Sequence, residues 1–179
     1  VAGESGSMHL MGTAIRVKKV VFVSVQVYAI GLYIDKKEAQ EKLPRQVSQS
    51  LFSTLLSADA GIPLTVRMEM VRSVGGDAMS GALREAIEPR LAAIYNDAER
   101  TAADMAAFAK QFDITSLAAG SVLTFSKTAA GIVTEVGGVS KGEIKSPALA
   151  RAFLSVFLGE DAVVERERLV ERIGVLIEE

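Results

Sequence analysis

The stretch Val25-Gln-Val-Tyr-Ala-Ile-Gly-Leu-Tyr-Ile sets the tightest limit on the fold. Its β-branched and aromatic residues suit a pleated strand. Alternation places Tyr28, Ile30, Leu32 and Ile34 on one side and Val25, Val27, Ala29, Gly31 and Tyr33 on the other. Both sides are largely apolar, which predicts a strand covered on both faces. The preceding run Thr13–Val23 has the same chemistry, so two adjacent strands open the chain.

Further along, the pattern changes period. Asp35–Lys42 and Val47–Leu56 read as short helices separated by Pro44, and Ile62–Val71 returns to a strand. Asp77 is the expected N-cap of a long helix with Leu83, Ile87, Leu91 and Ile94 as its apolar stripe, and Pro89 is expected to kink it. A helix over Ala98–Phe112 and short strands at Ser121–Ser126, Ile132–Val136 and Glu143–Lys145 follow. Ser146-Pro147 is a strong helix start and Gly159 its stop, and Asp161 is expected to open the last helix. Strands and helices are segregated rather than alternating, which gives an α+β class with an antiparallel sheet covered by helices.

Composition narrows the function. Of 179 residues, 49% are hydrophobic but only 6% aromatic, so the apolar load is aliphatic. No apolar run approaches the roughly 20 residues of a membrane span, so no stable membrane insertion is expected. Twenty Lys+Arg against 22 Asp+Glu leave a net charge of −2, which argues against a nucleic-acid binder. With no Cys and one His, disulfide scaffolds, thiolate catalysis and the common metal clusters fall away, and no cofactor or metal is expected. His9 cannot complete a Ser-His-Asp set and reads as a surface residue, with haem ligation the alternative. The length fits a single domain over 1–179, acting as a monomer, with residues 1–8 expected to be disordered or foreign to the natural chain.

Charge placement singles out Arg16. From Ser5 to Ile34 there is no Asp or Glu, while Arg16, Lys18 and Lys19 give the segment a local charge of +3. A guanidinium pointing inward from a strand needs an anion. Either Arg16 reaches water or a distant carboxylate such as Glu69 or Glu85, or its anion is a ligand carboxylate gripped by the guanidinium fork. Tyr28, set among aliphatics in the neighbouring strand, is either a core tyrosine or a second donor to the same oxygens. Gly75-Gly76 lacks the Lys-Ser/Thr of a phosphate loop and reads as a turn. Met68, Met70 and Met79 read as core filler, and Glu165-Arg-Glu-Arg as a solvated helix face.

The block Met11-Gly-Thr-Ala-Ile-Arg-Val-Lys, followed by Val25-Gln-Val-Tyr-Ala-Ile-Gly-Leu-Tyr-Ile, resembles the chalcone-isomerase fold family. Asp77–Leu91 is similar to that fold's long helix, and Gly142–Asp161 to its late strand and following helix. The resemblance implies an open-faced β-sandwich, a large antiparallel sheet with a layer of helices on one face. True isomerases of the family cyclise chalcones to flavanones with an Arg assisted by Thr, Tyr, Asn and a late Ser/Thr. Arg16 matches the Arg, but Tyr28 stands where isomerases have Thr, and Gly76–Glu88 holds neither Tyr nor Asn. No Ser or Thr matches the late position near Glu165–Glu167. The Arg-plus-Tyr pair is instead similar to the non-catalytic fatty-acid-binding branch. It implies no catalytic residues and a medium- to long-chain free fatty acid as partner. Arg16 and Tyr28 would hold the carboxylate, and an aliphatic tunnel the acyl tail. It also implies a plastid stromal location. The enzyme alternative is a chalcone-isomerase-type cyclase with a modified site.

Overall fold

The computed structural model describes residues 7–20, 23–45, 48, 50–162 and 164–179. In chain order the elements are β1 (Met8–Val20), β2 (Val23–Asp35), α1 (Lys36–Lys42), α2 (Leu51–Leu56), β3 (Leu64–Met70), β4 (Val74–Gly75), α3 (Gly76–Tyr95), α4 (Ala98–Lys110), β5 (Ser116–Leu117), β6 (Val122–Lys127), β7 (Ile132–Val136), β8 (Val139–Ile144), α5 (Pro147–Leu158) and α6 (Arg166–Glu178). Six strands form one antiparallel sheet in the order β1-β2-β3-β6-β7-β8, and β4 pairs with β5 separately. The class is α+β, as the segregated pattern predicts.

Period-2 burial fixes which side of the sheet meets the helices. Along β3, Leu64, Val66, Met68 and Met70 are all buried while the residues between them are not. In β6, Leu123 and Phe125 point the same way. They meet Leu83, Ile87 and Leu91 of α3 and Phe153 and Phe157 of α5 in one buried cluster. Phe125 stands 4.5 Å from Phe153, centroid to centroid, and Phe153 stands 5.3 Å from Phe157. Each such side chain contributes about 1.5–3 kcal/mol through burial. Met68, Met70 and Met79 are core residues, as expected.

The opposite face departs from expectation. Ala29, Gly31 and Tyr33 lie with Thr65, Arg67, Thr124 and Ser126 on a face that has no second layer among the described residues. Polar links cross it: Thr65 Oγ1 and Ser126 Oγ are 3.0 Å apart, and Arg67 pairs with Glu69 at 2.9 Å. Two-sided apolarity in β2 has other causes. Tyr33 turns its ring over Gly31, filling the place of the missing side chain. Val25 and Val27 change sides because the β1–β2 register shifts between Arg16↔Tyr28 and Val17↔Gln26. Val27 is thereby left without a β1 partner, a bulge. Its carbonyl accepts from the Val71 amide at 3.0 Å.

Several boundaries were legible and some were not. Asp35 caps α1 by accepting from the Glu38 amide, Ser146 caps α5 by accepting from the Leu149 amide, and Gly159 ends α5. Asp77 is not the cap of α3 but lies in its first turn; Gly75 takes the cap position. The reason is steric: a Cβ on Gly76 would overlap the Ile114 carbonyl oxygen, while the Gly76 amide donates to Thr115 O at 3.2 Å. Asp161 does not open α6, which starts at Arg166 after Glu165. Nor is Arg166 a freely solvated residue, because its guanidinium lies 4.1 Å from the Phe52 ring centroid. The β4–β5 pair had no signal in the sequence. Residues 21 and 22, Val47 and residues 1–6 lie outside the described residues. Of the expected disordered start, Met8 pairs with Asp35 in the sheet, and Ser7 O accepts from the Lys36 amide. Backbone pairing orders these two residues.

Candidate functional site

Arg16 and Tyr28 occupy opposite positions on β1 and β2. Residues paired in this way share a face of the sheet, and here it is the helix side. They line a cleft of about 560 Å³ between the β1–β2 end of the sheet, the segment after β3, α3 and α5. The bulge brings Val25 and Val27 into the same wall as Tyr28. On the far side, α3 presents Ala78, Ala82 and Ala86 at i, i+4 and i+8, together with Met79 and Leu83. Alanines this short leave space between α3 and β2 that longer side chains would fill. Met79 and Leu83 are buried and form the floor. The volume lies within the range of about 300–1,000 Å³ typical of small-molecule sites.

Polar groups gather at the rim. Arg16, Lys18, Arg72 and Arg90 line the cleft, against Glu85 and Asp161. None of the six takes part in an ion pair among the described residues, whereas Arg67, Arg84 and Arg168 each have a carboxylate. Arg90 Nη1 donates to Ala86 O at 2.7 Å. Burial pushes the Tyr28 phenol above its ordinary ionisation range, and the Arg16 guanidinium draws it partly back. The two side chains therefore sense each other electrostatically. Arg16 is exposed, so its charge does not by itself require an internal anion. Of the two carboxylates considered for it, Glu69 is committed to Arg67 on the open face, and Glu85 lines the cleft.

The sequence reading singled out Arg16 and Tyr28, which both line the cleft, and missed most of their surroundings. Arg72 and Ser73 sit in the run read as a turn, and Arg90 follows Pro89 in the long helix. The alanine spacing of α3 was the available signal for the space beside them. His9 does not line the cleft; its Nε2 lies 2.9 Å from Ser7 Oγ. Among the described residues no group of three or more His, Asp or Glu is placed to hold a metal ion. No helix among them is long and apolar enough to cross a membrane.

Outside the cleft, two polar arrangements stand out. Tyr95 Oη and Ser146 Oγ both donate to Asp104 Oδ2, tying the end of α3 and the start of α5 to α4. Lys127, buried at the end of β6, donates to Leu55 O at 2.9 Å and Ser57 O at 2.6 Å, and burial lowers its pKa to about 8.

Comparison with known proteins agrees with this architecture. The model of a family described as chalcone isomerase-like matches residues 2–168. Fatty-acid-binding protein 2 of Arabidopsis thaliana is 29% identical over 185 residues, covering 97% of this chain. The chain spans 46% of that protein's length. The crystal structure of the Arabidopsis thaliana fatty-acid-binding protein AtFAP1 matches with a TM-score of 0.85, over 99% of this chain and 92% of that one. At 22% identity that likeness concerns the fold.

Proposed function

The chain belongs to the chalcone isomerase-like family, and on that premise we propose that it is a non-enzymatic binder of a medium- to long-chain free fatty acid. Arg16 and Tyr28 hold the carboxylate, and the acyl tail runs along the aliphatic wall between β2 and α3. The observation that carries this reading is the pairing of Arg16 with Tyr28 at the rim of a cleft whose floor is Met79 and Leu83. A guanidinium and a phenol on one face offer donors to both carboxylate oxygens, and charge-assisted bonds of this kind are the stronger ones. Relatives described as fatty-acid-binding proteins support the same ligand class.

Against a cyclase stands the lining of the cleft: from Gly76 to Glu88, α3 contributes Ala78, Met79, Ala82, Leu83, Glu85 and Ala86 to it, without a hydroxyl or amide side chain. A phenolate nucleophile would receive no orienting donor from this stretch of α3. The plastid stroma is the location proposed, on the family resemblance, and a fluorescent fusion of the natural full-length protein tests it.

Lipid mass spectrometry on the purified protein, followed by fatty-acid titration of wild type and Arg16→Ala, tests the binding reading. A co-purifying fatty acid and weakened binding in the variant are expected. Equal affinity in the variant removes the carboxylate assignment. Enzyme-dependent loss of a simple chalcone above its spontaneous rate would restore the cyclase.

A further inference from the structure

The cleft holds more positive charge than one carboxylate needs. The guanidinium fork of Arg16 alone matches the two oxygens of a carboxylate. Lys18 and Arg72 stand at the same rim, and neither forms an ion pair among the described residues. Unpaired cations are common on this surface, and what sets Arg16, Lys18 and Arg72 apart is that they gather on one cleft beside an apolar floor. The acid-free stretch that supplies Arg16 and Lys18 offers them no local carboxylate, and Glu85 and Asp161, although they line the cleft, pair with none of its cations. Hydroxyls of Tyr28 and Ser73 lie along the same lining.

We propose that the cleft takes an alkyl chain whose polar end is a phosphate monoester, with Arg16, Lys18 and Arg72 sharing its charge. This rests on the fatty-acid reading, since chain and cleft are the same and only the head group differs. A phosphate monoester carries about −1.5 to −2 at neutral pH and offers three acceptor oxygens. It therefore uses cations and hydroxyls that a carboxylate leaves idle. Because the cations are exposed at the rim, each adds a modest, salt-sensitive increment.

Calorimetric titration with decanoate, decyl sulfate and decyl phosphate, below their micelle concentrations and at low salt, compares head groups on one chain. Decyl sulfate separates tetrahedral shape from double charge, and inorganic phosphate alone separates head group from chain. Decyl phosphate is expected to bind about fivefold tighter than the other two amphiphiles. Lys18→Ala and Arg72→Ala, both at exposed positions, should each weaken decyl phosphate more than decanoate and so shrink that advantage. Inorganic phosphate should bind at least about tenfold more weakly than decyl phosphate, because it buries no methylenes. Decanoate binding as tight as decyl phosphate, an advantage untouched by both variants, or inorganic phosphate matching decyl phosphate would each overturn the proposal. Decanoate binding without a phosphate preference removes this inference alone, whereas no binding of any amphiphile removes the fatty-acid reading with it.

Discussion

Arg16 faces Tyr28 across the β1–β2 ladder at the last pair before the register shifts. One position later the ladder has passed the unpartnered Val27, and Lys18 stands opposite Val25 on the same wall of the cleft. The cleft is thus built at a bulge, where a strand bends and re-aims its side chains.

Removing the guanidinium should separate binding from folding. Arg16→Ala is expected to lower fatty-acid affinity about tenfold, since hydrogen bonds to charged groups contribute about 1.5–3 kcal/mol and exposure reduces that. Stability to urea should stay within about 0.5 kcal/mol of wild type, as for other exposed positions. A large loss of stability would mean that Arg16 supports the fold instead.

The same variant should change how Tyr28 ionises. Burial raises its pKa and the nearby guanidinium lowers it, so removing Arg16 leaves the desolvation unopposed and moves the titration to higher pH. Tyr28 is one of three tyrosines, and replacing Tyr33 and Tyr95 by Phe makes the ultraviolet titration specific. A midpoint that stays in place would show that the two groups are not coupled.

Lys127 makes stability depend on pH in the alkaline range. Its pKa is about 8 in the folded chain against an ordinary 10.5. Below pH 8 both states hold the proton. Between the two values the folded chain releases it while the unfolded chain keeps it, so stability rises with pH across that window. Urea unfolding of wild type and Lys127→Met at both ends of the window isolates this contribution, which the variant should lack. Identical slopes would refute it.

Gly76 allows no side chain. Gly76→Ala drives a methyl group into the Ile114 carbonyl, and backbone cannot yield as a flexible side chain would. A loss of more than about 2 kcal/mol in unfolding free energy is expected, in the class of overpacked buried sites. Gly81, on the same helix with open space at its Cβ, is the control: Gly81→Ala should stabilise by about 0.5–1 kcal/mol.

Affinity should grow with the acyl chain by about 0.8 kcal/mol per methylene until the cleft is filled. Ala82→Phe, which puts a ring into the space left by the alanine row of α3, should end that growth at a shorter chain. A series of saturated fatty acids titrated against both proteins reads the two end points. An unchanged end point would place the tail elsewhere.

The fold was legible wherever periodicity and capping spoke together. Ser146-Pro147 and Gly159 bound α5 as expected, and β7 falls where the alternation of Ile132–Val136 puts it. Asp77 misled because a side-chain cap is a local signal, while the entry into α3 is set by the approach of Gly76 to Ile114, far along the chain. Covering of both faces of β2 was inferred from strict alternation, and a bulge suspends alternation without leaving a mark in composition. Arg16 and Tyr28 stood out as a lone cation and a lone phenol among aliphatics. Arg72 and Arg90 did not, because arginines near a turn or on a helix are ordinary until tertiary structure brings them to one rim.

Val27 also alters how related sequences are to be compared with this one. Helix-side positions of β2 are even-numbered from Tyr28 onward, whereas Val25 and Val27 before it, which line the cleft with Tyr28, are odd-numbered. A relative lacking the extra residue could align letter for letter over most of the strand and still place its matched side chains on opposite sides of the sheet. Alignment columns on either side of Val27 therefore compare like with like only when the insertion itself is aligned.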